Sequence, residues 1–213
     1  MHNKGRLIVV EGLEGAGKTT AMSYIKHFLS TSISNLVVTR EPGGTFLGEH
    51  LRELVKKTTS EPVHARSELL MMYASRVQLI ENLIKPALKR GDWVLCDRFE
   101  ASSYAYQGGG RGISIHELDD LSAFSLQGFE PDLTFFLNIT AEKGLKRIQA
   151  RKTTDRIEQE SLDFFKRTAK AYADYFREKQ NIQIIDANQP LPQVKKTILS
   201  YLTYFMKQHN ACT

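Results

Sequence analysis

The sequence predicts an α/β fold, a five-stranded parallel sheet with helices on both faces, and three observations carry that prediction. Five short apolar, β-branched runs alternate with longer segments whose apolar residues return every three or four positions. Within the runs the apolar residues are successive, as in strands covered on both faces, and do not alternate with polar ones. The first run also leads directly into Gly12-Leu13-Glu14-Gly15-Ala16-Gly17-Lys18-Thr19, which fits the phosphate-loop pattern G-x-x-x-x-G-K-[ST] at every fixed position.

The elements follow in order. "RLIVVEG" is the first strand, and "TTAMSYIKHFL" is the helix that opens after the glycine-rich loop. "NLVVTR" is the second strand and ends on Arg40; a helical "LMMYASRVQL" follows, carrying Met72 and Arg76. "DWVLCDR" is the third strand and ends on Asp97 and Arg98. "YQGGGRG", Tyr106 to Gly112, reads as a mobile insertion before the fourth strand, "DLTFFLNI". A second insertion, the basic and turn-prone "RKTTDR", precedes the last long helix, where Leu162, Phe165, Ala169, Tyr172 and Phe176 form one apolar stripe. "IQIIDA" is the fifth strand. No repeat, low-complexity tract or linker divides the chain, so residues 1–213 are expected to form a single domain.

Composition narrows the function. "MHNKGRLIVV" has too short an apolar run for a secretory signal, and no run approaches the 18 residues of a membrane span, so a cytoplasmic protein with no membrane partner is expected. Cys96 and Cys212 are too few for a disulfide scaffold or a four-ligand zinc site. A net charge of +5 suits an anionic partner without choosing among nucleotide, nucleic acid and membrane surface.

The loop supplies the choice. Its glycines let backbone N–H groups turn toward phosphates at a helix N-terminus, Lys18 reaches the β- and γ-oxygens, and Thr19 takes a Mg²⁺ position. Residues Gly12 to Thr20 are therefore the expected ATP-binding set, and Asp97, closing an apolar strand, is the second Mg²⁺ candidate. A regulatory GTPase would carry an Asn-Lys-x-Asp guanine reader, which is missing. A nucleic-acid-stimulated ATPase lacks support from any basic stripe interleaved with aromatics, so no nucleic-acid partner is expected. A nucleotide kinase needs only a second anion site and a cover. Arg40 and Arg98, at strand ends, would face the same crevice as the loop and suit a second phosphate.

Taken together, "EGLEGAGKTT", "TREPGGT", "YASRVQL", "DRFEASSYAYQGGGRG" and "DRIEQES" resemble the bacterial thymidylate kinases over nearly the whole chain. The resemblance implies a three-layer α/β/α P-loop kinase fold with sheet order 2-3-1-4-5, a mobile lid near 147–156, a homodimer, and transfer of the ATP γ-phosphoryl group to dTMP. It implies further that Arg98 and Arg40 hold the dTMP phosphate, and that Arg76 bonds the thymine edge. Ser103 and Gln107 would line the base pocket, and Tyr106 would lie under the deoxyribose. Glu11 would sit near the acceptor sugar and the metal, and Asp186 to Pro190 would approach adenine. The family's charge-neutralising arginine comes from the loop or from the lid; Glu14 occupies the loop position, which leaves the lid's Arg151, with Arg156 second. Lys18, Arg98, Arg151, Arg156 and Glu14 thus mark the expected catalytic region, with Lys146, Arg147 and Lys152 as a solvated face. Two departures stand out: Gln149 where the family often has arginine, and Met72 where it usually has a phenylalanine stacked on thymine.

Overall fold

A computed structural model describes residues 4–150, 154–177 and 179–209. Its single sheet runs β2 (Leu36–Arg40), β3 (Trp93–Asp97), β1 (Leu7–Gly12), β4 (Leu133–Asn138), β5 (Ile182–Asp186), all parallel, in the expected order 2-3-1-4-5. The pleat sends alternate residues of β1 to opposite faces. Ile8 and Val10 join a core with α1 (Lys18–Ser30), α7 (Ala141–Gln149), α8 (Leu162–Phe176) and α9 (Leu191–Gln208). Leu7 and Val9 join the other core, with α3 (Ala65–Leu79), α4 (Lys85–Arg90) and α6 (Ile115–Leu126). Two dry faces explain why the central strands read as unbroken apolar runs.

The strand registers gather the chemistry at one edge. Arg40 pairs with Asp97, and Val10 with Asp97, so β2, β3 and β1 end level and deliver Arg40, Asp97, Arg98 and Glu11 to the carboxyl edge of the sheet. Beyond β1 the phosphate loop fits closely against its neighbours. Gly12 has φ 146° and Gly15 has φ 75°; a Cβ on Gly12 would lie 2.7 Å from Leu137 O, and one on Gly15 would lie 2.4 Å from Gly144 O. Glycine is required there by both backbone angle and space.

Two sequence expectations are corrected. Tyr106 to Gly112 is no mobile insertion: α5 (Glu100–Ser103) runs on into a π-helical segment, Tyr104–Gly110, whose residues are mostly buried against α8. The glycines are there for packing, since a Cβ on Gly109 would meet Ala171 Cβ at 2.5 Å. The helix expected to be the last long one, α8, is followed after β5 by the longer α9, which buries Ile198, Leu202 and Met206. The expected stripe on α8 itself is present, with Phe165, Tyr172 and Phe176 buried. A second π-helical segment, Ile80–Ile84, joins α3 to α4, and α2 (Phe46–Lys56) packs on α3.

Candidate active site

Lys18 turns back over the phosphate loop, its Nζ donating to Gly12 O at 3.0 Å and Leu13 O at 2.9 Å. Burial, reinforced by Arg98, pushes its pKa down to about 8, against the pull of Glu14, Asp97 and Glu11. Thr19 stands exposed at the start of α1. Asp97 Oδ1 is buried with no hydrogen-bond partner among the described residues. A hydroxyl and an unspent carboxylate oxygen suit Mg²⁺, which favours oxygen ligands and takes much of its shell from phosphates and water. Among the described residues no cluster of three or more His, Cys, Asp or Glu forms a metal cage of its own.

Arg98 lies at the centre of the site. It is a non-glycine residue with φ 72°, a conformation of high cost that the surroundings must hold. Its Nη1 donates to Gly12 O, Ser102 Oγ and Tyr172 Oη at 3.0, 3.1 and 3.0 Å. Its Nη2 donates to Glu14 Oε1 at 2.5 Å and Tyr106 Oη at 3.3 Å, and the guanidinium lies over the Tyr106 ring. Tyr106 Oη in turn donates to Glu14 Oε2. Burial pushes the Glu14 pKa up, but Arg98 and Lys18 outweigh it and hold Glu14 below the usual carboxylate range. Glu11 is fully buried and accepts from Phe99 N, Ser102 N, Ser102 Oγ and Tyr172 Oη, so it ties β1 to the start of α5 and to α8. Burial raises its pKa despite Arg98.

Arg76, also fully buried, donates from Nε to Glu41 Oε2 at 2.7 Å and from Nη2 to Phe99 O and Ser103 Oγ. Burial disfavours its charge, but Glu41, Tyr73 and Glu100 outweigh that and keep it protonated. Its Nη1 has no partner among the described residues. Gln107 is equally buried; its Nε2 donates to Glu68 Oε1 at 2.7 Å while its Oε1 has no partner among them. A cavity lined by Glu14, Glu41, Pro42, Arg52, Met72, Arg98 and Tyr106 among others reaches this group through Glu41, the partner of Arg76; Arg76, Ser103 and Gln107 are not themselves on its wall.

Of the expected acceptor residues, Met72, Arg98 and Tyr106 share the cavity wall, Arg76, Ser103 and Gln107 lie behind it, and Glu11, expected near the metal and the sugar, is instead buried with both carboxylate oxygens bonded to the protein. Arg40 reaches the right sheet edge, but its half-exposed side chain pairs with Glu49 at 2.8 Å and is not on the cavity wall. Arg52 of α2 is on that wall and went unpredicted, because an arginine on an amphipathic helix reads as solvated. Arg151 lies outside the described residues. Arg156 is committed to Val55 O at 2.9 Å and Glu68 Oε2 at 2.5 Å, which docks the lid's far end on α2 and α3. Arg147, expected to be merely solvated, donates to Gly15 O at 2.9 Å. It lines a second cavity between the phosphate loop and the Ala187–Gln189 turn, inside the loop expected to approach adenine.

The family model described as thymidylate kinase matches residues 10–198. Curated relatives include the thymidylate kinases of Legionella pneumophila strain Corby, 49% identical over 97% of both chains, and of strain Paris, 48% identical over the same shares. The thymidylate kinase of Pseudoalteromonas translucida strain TAC 125 is 48% identical over 96% of this chain and 99% of its own.

The Glu14–Arg98 pair generates a pH prediction. Glu14 has a folded pKa below its unfolded value of 4.5, so its contribution to stability is present above that value and is lost as pH falls through the folded value. Glu14→Gln should lower stability at pH 7 by about 2 kcal/mol, the loss of a hydrogen bond to a charged group, or roughly 4–8 °C in melting temperature. Thermal scans of both proteins should show that gap closing below pH 4.5; a gap constant from pH 3 to 7 would refute the assignment.

Proposed function

This chain belongs to the thymidylate kinase family, and we propose that its two cavities divide the work of an ATP-dependent dTMP kinase. The enzyme is a phosphotransferase that moves the γ-phosphoryl group of ATP to dTMP, giving dTDP and ADP. ATP takes the phosphate loop and the cavity beside Arg147, and dTMP takes the cavity walled by Arg98, Tyr106 and Met72. What carries the base assignment is a matched pair of unspent atoms. The Arg76 Nη1 donor and the Gln107 Oε1 acceptor are buried and unpartnered among the described residues, and thymine offers the complementary O4 acceptor and N3–H donor.

The acceptor phosphate oxygen is already a nucleophile, so the protein's task is to position and to neutralise charge. Arg98 supplies the fork for the acceptor phosphate, with Arg52 on the same cavity wall and Arg40 at the adjacent strand end. Because Arg98 Nη2 now bonds Glu14, an arriving phosphate must share or replace that carboxylate. Lys18 would contact the β- and γ-oxygens, and Thr19 and Asp97 would hold Mg²⁺, which when bound would neutralise phosphate charge. We assign the lid arginine to Arg151, since Arg156 is spent on Glu68 and Val55 O. The cytoplasm is the proposed compartment; among the described residues no helix is long and apolar enough to cross a membrane.

A homodimer is proposed from an apolar surface on adjacent helices. Phe46 of α2 is 85% exposed and Phe124 of α6 79%, and Leu47 and Leu54 of α2 and Leu70 of α3 are exposed as well. Sedimentation should give a mass near twice the 24.2 kDa chain, and Leu54→Glu should shift it toward one chain; a monomer at every concentration would refute this surface as a dimer face.

A coupled assay with Mg·ATP tests the activity. The chain should turn over dTMP well ahead of ribonucleotides, Lys18→Ala should abolish turnover with the fold intact, and Arg98→Ala should raise KM for dTMP. Arg151→Ala should cut kcat by about 10³, the scale of an arginine finger, while Arg156→Ala acts mainly on stability. ATP hydrolysis stimulated by DNA or RNA, without dTDP, would favour the ATPase alternative instead.

Met72 is 8% exposed and lies on the acceptor cavity wall, one turn before Arg76. A thioether against a ring contributes roughly 0.3–1.5 kcal/mol and an aromatic stack on a base roughly 1–3 kcal/mol. Met72→Phe should therefore tighten dTMP binding by up to about tenfold in calorimetric titration. Unchanged affinity with a lower melting temperature would make Met72 a packing residue only.

A further inference from the structure

Glu68 on α3 is 1% exposed and lies one turn before Met72, yet the phosphate chemistry does not use it. Three side chains donate to it: Gln107 Nε2 at 2.7 Å, Arg111 at 3.3 Å from Nε and 3.2 Å from Nη2, and Arg156 Nη2 at 2.5 Å. Arg111 Nη1 also bonds Glu160, so two carboxylates and two guanidinium groups balance in charge.

An ionised carboxylate only accepts hydrogen bonds, so any group turned toward it must donate. The amide of Gln107 has two ends of nearly equal shape and opposite hydrogen-bond character, and either orientation fills the same volume. Glu68 removes that freedom. The amide nitrogen must face Glu68, and the oxygen, the buried atom without a partner among the described residues, must face away. We propose that Glu68 is a positioning residue for base selection: it fixes the Gln107 amide so that an acceptor meets the base. The site then favours a pyrimidine with a ring N–H, the thymine and uracil class, over cytosine, whose ring nitrogen is bare. The inference rests on Gln107 lining the base pocket, as proposed above. Burial pushes the Glu68 pKa up, but the Gln107 hydrogen bond, Arg111 and Arg156 outweigh it and hold Glu68 below the usual range, so it accepts only at neutral pH.

A double-mutant cycle on the full chain tests it, with dissociation constants for dTMP and dCMP from calorimetric titration of wild type, Glu68→Gln, Gln107→Ala and the double variant. In Glu68→Gln the new amide can keep its oxygen on the arginines and turn its N–H₂ to Gln107, which then flips. The expected result is dTMP binding about tenfold weaker and a dTMP-to-dCMP preference narrowed by at least that factor, with neither effect in the Gln107→Ala background. An equal loss in both backgrounds, or weaker dTMP binding with the preference unchanged, overturns the positioning role. Unchanged dTMP binding in Gln107→Ala alone overturns the base-pocket reading, and the inference with it. If Glu68→Gln does not fold, Glu68→Asp, which keeps the charge and shortens the reach, takes its place in the cycle.

Discussion

A guanidinium with only 14% of its side chain exposed destabilises a fold unless acceptors surround it, and Arg98 finds them in four neighbouring parts of the chain. It bonds the phosphate loop through Gly12 O and Glu14, α5 through Ser102, the π-helical segment through Tyr106 and α8 through Tyr172. The strained backbone of Arg98 is held because its N–H donates to Val10 O and Cys96 Sγ contacts its carbonyl. Glu11 completes the arrangement from beneath by bonding Ser102 and Tyr172, two of the acceptors that Arg98 itself uses. A change at any one of these side chains therefore reaches the others, and the geometry proposed to meet the acceptor phosphate is a property of the whole cluster.

Arg76 shows the opposite economy. Arg76 is buried and Arg98 half-buried, but Arg98 has both terminal nitrogens bonded, whereas Arg76 keeps Nη1 unpartnered among the described residues, as Gln107 keeps Oε1 and Asp97 keeps Oδ1. A buried polar atom left without a partner costs about 1–3 kcal/mol, so a fold keeps few of them. Seven such side-chain atoms occur among the described residues, and three of them belong to residues expected to meet the base or the metal.

What the sequence disclosed and what it hid follow from range. The strands were readable because two-sided burial writes itself as successive apolar residues, and the phosphate loop because its glycines answer to local backbone angles and near contacts. The acceptor side was harder, because its residues act through partners far along the chain. Arg147 looked solvated by composition, yet its partner, Gly15 O, is 132 positions away; Arg156 looked available, yet Glu68 lies 88 positions away. The run Tyr106–Gly112 looked mobile because glycine marks loops, but here the small residues let α8 approach the backbone.

The same distances explain why the lid root belongs to the acceptor site. Asp155 pairs with Lys56 at 2.8 Å, Arg156 reaches Glu68, and Glu160 meets Arg111, so the segment after the lid is fastened to α2, to α3 and to the residue that follows the π-helical segment. Asp155 and Ile157 also line the acceptor cavity beside Arg52 and Met72. Asp155, Arg156 and Glu160 are thus each spent on fastening this segment, and that engagement is what supports the proposal that the arginine for the transferred group is Arg151 and not Arg156.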